Sequence, residues 1–254
     1  MTDSYTVAII SDMHGNLAAL EAVLADLDGE AYDALVVAGD LAVLGPRPRE
    51  TMARIRALGV PTLLGNTDAY LLADKAPPHL GALVPWVKRQ LDGEDLRFLA
   101  SLPREHWITP PNGRSPADDV LIVHATPTDI EAILSLEPDA FGESPPTPED
   151  EAAAMLGDAR ANLIVFGHIH RFSRGEVRGQ RLASVGAVGF PFDGDTRAAY
   201  GVATWDGTSW TLAPRRVAYD HEAVAADLLA SDNPSAAEAA ERLRTARFIQ
   251  NPPA

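Results

Sequence analysis

The stretch ANLIVFGHIHR, residues 161–171, runs a short apolar segment into a glycine and then sets two histidines around one isoleucine. Leu163 to Phe166 reads as a short strand, because an unbroken apolar run of this length suits a strand covered on both faces. His168 and His170 then fall just past its carboxyl end. The chain has seven histidines, so two of them here need a reason. A solvated strand end is one reason. A metal site is the other, and it needs partners elsewhere in the sequence.

Working outward, the same grammar repeats. YTVAII (5–10), ALVVA (34–38), PTLL (61–64) and VLIVH (120–124) read as further buried strands. Between the first three lie NLAALEAVLADL (16–27) and PRETMARIRAL (48–58), with apolar residues at helical spacing and a proline near the start of the second. Such alternation predicts an α/β fold with parallel pairing. Residues 70–118 break the rhythm. HLGALVPWVKRQL and GEDLRFLASL read as two helices, a helical excursion over about 70–105, followed by the loop TPPNGRSPADD. GESPPTPEDE (142–151) reads as a mobile proline-rich loop and EDEAAAMLGDA as a helix. AAYGVATWDGTSWTLA is a hairpin signal through Asp206-Gly207. Two alanine-rich segments predict C-terminal helices over about 221–248. No internal repeat is found, and residues 1–254 read as a single domain.

The strand ends carry the chemistry. Asp12 and His14 follow the first strand, Asp40 the second, Asn66 and Asp68 the third. His124 closes the fourth, and His168 and His170 follow the fifth. In open α/β sheets ligands bind at that edge. In Asp-x-His and His-x-His, residues i and i+2 of an extended segment project to one face, so both reach one centre. Carboxylates and neutral imidazoles without thiolate suit Mn²⁺, Fe, Zn²⁺ or Ni²⁺.

Bulk properties narrow the field. Twenty-one basic against 36 acidic side chains leave a formal charge of −15. A phosphate-backbone binder usually carries a basic face, which disfavours nucleic acid as a partner. A metal-filled acidic pocket can still take an anion, because bound cations invert the local electrostatics. There is no cysteine, which excludes disulfides and thiolate metal sites. The opening MTDSYTVAIISDMHG has no basic segment before a long apolar run, so neither a signal peptide nor a membrane partner is expected, and a cytoplasmic location is.

The set Asp12, His14, Asp40, Asn66, His124, His168 and His170 resembles the calcineurin-like metallophosphoesterase family. That family's pattern runs D-x-H, G-D, G-N-H-[DE], a lone histidine, and G-H-x-H. GDLAVLGPRPRE, LRFLASLP, VHATP and GDTRAAYGV are similar to its bacterial branch of predicted phosphodiesterases, from about residue 6 to about 220. The resemblance implies a four-layer αββα sandwich with two central mixed sheets. It implies two divalent ions, Mn²⁺ first and Fe, Zn or Ni as alternatives. Asp12, His14 and His170 would hold one ion and Asn66, His124 and His168 the other, with Asp40 bridging. It also implies a hydrolase in which Asp40, Asn66 and His124 serve catalysis and a metal-bridged hydroxide attacks phosphorus. The favoured small phosphorylated substrate is a phosphodiester or nucleotide; phosphoproteins and dinucleoside polyphosphates are the alternatives.

Two departures from the pattern stand out. Thr67 replaces the family's histidine after G-N, which is credited with protonating the leaving group or steadying the transition state. A threonine can donate a hydrogen bond but is no general acid near neutral pH, so a preference for good leaving groups, or another proton donor, is expected. A weakly active or inactive metal-dependent module that binds a phosphorylated ligand is the alternative from another class. ASVGAVG (183–189) replaces N-P-G-S-V-G, with Ser184 at the asparagine position. Thr67 and Asp68 are placed behind the ligands, as substrate contact, support or turn cap.

The remaining candidates take blander readings. His79 and His106 read as surface residues, and His221 as the first turn of a helix capped by Asp220. Arg47 and Arg49 read as a solvated loop rather than a phosphate clamp. The alanine stripe at 235–247 reads as a packed or dimerising helix, and the oligomeric state is left open.

Overall fold

In the computed structural model, which describes residues 4–248, the apolar runs sort into two mixed sheets. In the first, β1 (Tyr5–Ile10) pairs in parallel with β2 (Ala34–Val37) and antiparallel with β8 (Ala198–Trp205), and β9 (Trp210–Val217) completes the order β2-β1-β8-β9. In the second, β4 (Val120–Val123), β5 (Leu163–Phe166) and β7 (Gln180–Val185) run parallel. Antiparallel β3 (Glu105–Ile108) and β6 (Phe172–Val177) flank them, giving β3-β4-β5-β7-β6.

Strand parity explains the layering. Successive side chains leave opposite faces of a strand. Val7 and Ile9 of β1, Val120 and Ile122 of β4, and Leu163 and Val165 of β5 meet in one core between the sheets. Their alternates point outward. Ala8 and Ile10 meet the helices on the outside of the first sheet, and Leu121, Val123, Ile164 and Phe166 pack under α6 (Glu149–Leu156) on the outside of the second. Such strands are apolar at nearly every position because both faces are covered. The result is the αββα sandwich.

The outer layer of the first sheet is the larger. It contains α1 (Leu17–Asp28), α2 (Pro48–Leu58), α3 (Asn66–Leu72), α4 (Leu83–Lys88), α5 (Gly93–Ser101), α7 (His221–Ala230) and α8 (Ala236–Thr245). On α1, Ala19, Leu20, Val23, Leu24 and Leu27 form the buried stripe, and Asn16 caps the helix by accepting from the Ala19 N–H. Ala239, Ala240 and Leu243 of α8 are buried in the same core as Val224 and Leu228 of α7, so the alanine stripe is a packing face within the chain. No helix among the described residues is long and apolar enough to cross a membrane.

Three expectations are corrected. PTLL is no strand: it makes one bridge, Val37 to Thr62, because Pro61 has no N–H to donate and the chain turns at Gly65. HLGALVPWVKRQL splits into a 3₁₀ turn at Pro78–Leu80 and α4. Pro85 cannot donate and its ring crowds the carbonyl four residues back, so it fits only in a helix's first turn. Two strands were not foreseen: β3 is a short edge strand without an apolar run, and β6 reaches β7 through Arg178 and Gly179, both at positive φ. The proline-rich stretch is loop, as expected, and it carries cross-contacts. Thr147 and Ser135 exchange hydrogen bonds, and Glu143 pairs with Arg247 at 2.6 Å.

Trp210 ties the two sheets together. It is fully buried, its indole N–H donates to the Asp118 carbonyl at 2.8 Å just ahead of β4, and its ring meets Tyr5 edge-on at 6.3 Å. Trp210→Ala removes the bulk and leaves that carbonyl unpaired; it is expected to cost about 3–5 kcal/mol, measured by equilibrium denaturant unfolding.

Candidate metal centre

The seven expected side chains are brought to one rim of the sandwich. Asp12 and His14 lie in the turn after β1, Asp40 in the turn after β2, and Asn66 at the first position of α3. His124 follows β4, and His168 and His170 lie in the turn after β5. The expected geometry of the i, i+2 pairs is corrected here. Asp12, His14, Asp40, His168 and His170 all have φ between 50° and 63°, in the left-handed region rather than extended. Non-glycine residues pay strain for that conformation, and it concentrates at functional sites. The turns are fixed by backbone bonds across loops: the N–H groups of Asp12 and His14 donate to the carbonyls of Gly39 and Asp40 at 3.0 and 2.9 Å. The backbone N–H of His168 donates to Asp12 Oδ2 at 3.0 Å. Gly167 permits this approach, since a Cβ there would stand 2.6 Å from Asp12 Oδ2.

Two clusters share one carboxylate. Ligand atoms of Asp12, His14, Asp40 and His170 lie within 4.8 Å of one another, as do those of Asp40, His124 and His168. Asp40 Oδ2 stands 3.4 Å from His14 Nε2, while Oδ1 stands 3.5 Å from His124 Nε2. The Asn66 carbonyl oxygen joins the second cluster, 3.0 Å from His124 Nε2 and 3.1 Å from His168 Nδ1.

The far ring nitrogens settle which atoms face inward. The Nδ1 atoms of His14, His124 and His170 face the carbonyls of Val43, Ala38 and Phe190. His168 is turned around, with Nε2 facing the Glu131 carbonyl at 3.2 Å. A carbonyl only accepts, so the proton of each neutral ring lies on that outer nitrogen and the inner one carries a lone pair. His14 Nε2 and His170 Nε2, 3.0 Å apart, then have no hydrogen to share. Asp12 Oδ1 is buried without a hydrogen-bond partner. Lone pairs converging without protons are what a cation requires, and two nitrogen ligands about 2.1 Å from one ion in adjacent positions stand about 3 Å apart. The donor set fits two divalent cations.

Titration behaviour follows from burial and from these neighbours. Burial lowers His14 and His168 to about 4, against the pull of Asp40 and Asp12. Burial alone would raise Asp12, but His170, His124 and His14 hold it well below the ordinary carboxylate range. For His124 the desolvation penalty is outweighed by Asp40 and Asp12, which raise it. Asp68 is fully buried and accepts from the N–H groups of Asp40, Leu41 and Gly65 at 2.8, 2.9 and 3.0 Å. It therefore both holds the Asp40 turn and caps α3. Burial and the nearby Asp40 charge push it up to about 7, opposed by those N–H donors.

The other candidates separate cleanly. Thr67 lies on the wall of a cavity of about 900 Å³ that opens from the clusters; its N–H donates to Asp40 Oδ1 at 2.9 Å, and its hydroxyl is buried without a partner. Arg47 is engaged by Asp227, at 2.7 and 2.8 Å, away from the centre. His221 opens α7 behind its Asp220 cap and His106 is half-buried on β3, while exposed His79 reaches the cavity wall. Sequence reasoning missed Tyr70, Glu131, Arg171 and Phe192, which also line the cavity. Tyr70 was findable, four residues after Asn66 on one helix face; Glu131 lies in irregular chain and gave no signal.

A model of the calcineurin-like phosphoesterase superfamily domain matches residues 6–208. The uncharacterized protein MJ0912 of Methanocaldococcus jannaschii is 30% identical over 233 residues, 84% of this chain and 88% of its own. A symmetrical bis(5'-nucleosyl)-tetraphosphatase of Yersinia enterocolitica is 36% identical over 101 residues, about a third of either chain (32% and 35%). The crystal structure of a metallophosphoesterase from Sphaerobacter thermophilus superposes with a TM-score of 0.70 at 27% identity, covering 95% of this chain and 99% of that one.

The neutral ring of His168 has a checkable consequence. Its pKa falls from 6.5 unfolded to about 4 folded, so its contribution to stability is present above pH 6.5 and is lost as the pH falls toward 4. In chelator-treated protein, the stability difference between wild type and His168→Asn is expected to shift against wild type across that window, read by denaturant unfolding at stepped pH.

Proposed function

We propose that this chain, which belongs to the calcineurin-like phosphoesterase superfamily, hydrolyses phosphoesters using two divalent cations held by the side chains just described. The observation that carries the reading is the pair of ligand clusters divided by the two oxygens of Asp40. Asp12, His14 and His170 hold one cation; Asn66, His124 and His168 hold the other, and Asp40 serves both. When bound, such a pair supplies Lewis-acid charge to phosphoryl oxygens and acidifies water. Mn²⁺ is the proposed metal, since the ligands are imidazole, carboxylate and amide oxygen.

The protein's own contribution is orientation. The carbonyls of Ala38, Val43 and Phe190 fix three imidazoles, and Asp68 fixes the Asp40 turn. Thr67 lines the cavity where the family's pattern has histidine, and it supplies no general acid to protonate the leaving group. Substrates whose leaving group departs unprotonated therefore fit best: an activated phosphodiester, or a nucleotide whose leaving group is itself a phosphate. The tetraphosphatase named in the Yersinia relative is of the second kind. Thr67 also supports the second reading, a metal-dependent phosphate-binding module with little turnover.

Hydrolysis of bis(p-nitrophenyl) phosphate with added Mn²⁺ separates the two. It is expected to vanish with chelator and to fall at least about a hundredfold in Asp40→Asn and His124→Ala, beyond the 10–100-fold typical of losing an outer support. Metal binding with no turnover on any ester would leave the module. Across aryl esters of graded leaving-group pKa, a steep rate dependence is expected; a flat one would show that some group protonates the leaving oxygen.

A further inference from the structure

The cavity does not end at the clusters. Its outer wall comes from the C-terminal segment, beyond the residues matched by the family model: α8 contributes Ser235, Glu238 and Arg242, and Phe248 follows. A file of rings leads to it from the centre. Phe192 stacks on the His170 imidazole, with centroids 4.4 Å and planes 10° apart. Phe248 meets Phe192 edge-on at 5.3 Å, and the Arg242 guanidinium lies 4.7 Å over the Phe248 ring. Phe248 nonetheless remains 51% exposed, so part of an aromatic surface faces the cavity mouth. Arg247 lies 4.0 Å over the ring of Phe141 and pairs with Glu143, both of which line the cavity.

Arg171 follows His170 directly in the chain. It is half-buried and lines the cavity, and its guanidinium donates to the Ser135 hydroxyl. No carboxylate lies within ion-pair distance of it among the described residues; Asp139 and Asp193 act on it only from farther away. Leaving a partly desolvated charge without a close counter-ion is unfavourable. In a chain of formal charge −15, with carboxylates abundant, this guanidinium lines the same cavity as the metal clusters and suits an anionic ligand there. A cavity of about 900 Å³ also exceeds what a simple phosphate ester fills and lies within the range of larger ligands.

We propose that the cavity takes a nucleoside polyphosphate, with one phosphate at the metal clusters, a neighbouring phosphate on Arg171 and the base on the Phe192–Phe248 shelf. This rests on the hydrolase reading and adds to it the recognition of the part of the substrate that does not react. A guanidinium suits a phosphate through paired N–H donors, and every base offers a flat face to an aromatic ring.

The test uses the full-length, metal-loaded protein and two non-hydrolysable probes, α,β-methylene ADP and methylenediphosphonate, bound in a calorimeter. Wild type is expected to hold the nucleoside probe about tenfold more tightly than the bare diphosphonate, the scale of one base–aromatic stack. Phe248→Ala should erase that preference. Arg171→Gln should weaken both probes at least about tenfold, the scale of a charged hydrogen bond, and Arg171→Lys should recover part of the loss. Circular dichroism and metal content verify that each variant is folded and loaded. Equal affinity for both probes in wild type, or affinities that neither substitution moves, would overturn the subsite while leaving hydrolysis of bis(p-nitrophenyl) phosphate intact. If that ester is not hydrolysed, the hydrolase reading falls. A nucleoside preference lost in Phe248→Ala would then still uphold the subsite, and its absence would overturn both.

Discussion

The two oxygens of Asp40 face two different clusters of lone pairs, and the arrangement of the site depends on keeping them there. The carboxylate sits on a residue at φ 58°, a conformation that costs on the order of 1 kcal/mol for a side-chain-bearing residue. Its neighbours hold it from several sides. Thr67 N–H donates to one oxygen, and the Asp68 carboxylate grips the N–H groups of Asp40 and Leu41. Gly65 leaves the space, since a Cβ there would stand 2.8 Å from the Asp40 carboxyl carbon. Glycine at 65 and aspartate at 68 are thus parts of one device, although neither need touch a ligand.

The sandwich makes this device cooperative. Each cluster draws on both sheets: His170, from the turn after β5, completes the cluster of Asp12 and His14, while Asn66, from the first sheet's side, completes that of His124 and His168. Neither cluster exists until the core between the sheets has formed. Cation binding and sheet packing are therefore linked, because ions that bind only the assembled rim stabilise it by mass action. The five left-handed ligand residues are a local cost that this packing, with its cross-loop backbone bonds, overcomes.

Legibility in the sequence followed the physics of each element. Runs covered on both faces, such as LIVF and VLIV, declared themselves because burial on both sides forces apolar residues at every position. The ligands were legible as residue types at strand ends. Their backbone conformation was not, because i, i+2 spacing is equally compatible with an extended segment and with a left-handed turn. PTLL failed as a strand because a proline and a following turn left one residue to pair. β3 and β6 escaped notice because an edge or hairpin strand can mix exposed and buried residues without an apolar run. Arg171 and Phe248 could not be placed from the sequence at all: their meaning lies in a cavity wall assembled from segments more than seventy residues apart.

The chain's acidity also takes its place in this picture. At formal charge −15, the surface as a whole does not invite an anion, yet the site proposed here must accept phosphate. Surface charges act over about a Debye length, roughly 8 Å at physiological ionic strength, whereas a pair of divalent cations brings four positive charges against the two carboxylates of Asp12 and Asp40. Cations bound there would thus reverse the local sign. A phosphate at the clusters answers to that field, and only a substrate that extends beyond them meets the acidic remainder of the cavity. There Glu131, Asp139, Glu143 and Glu238 line the wall alongside Arg171 and Arg242. Extending a polyphosphate through such a cavity requires a cation at the right depth, and Arg171 is the one placed next to a proposed metal ligand in the chain.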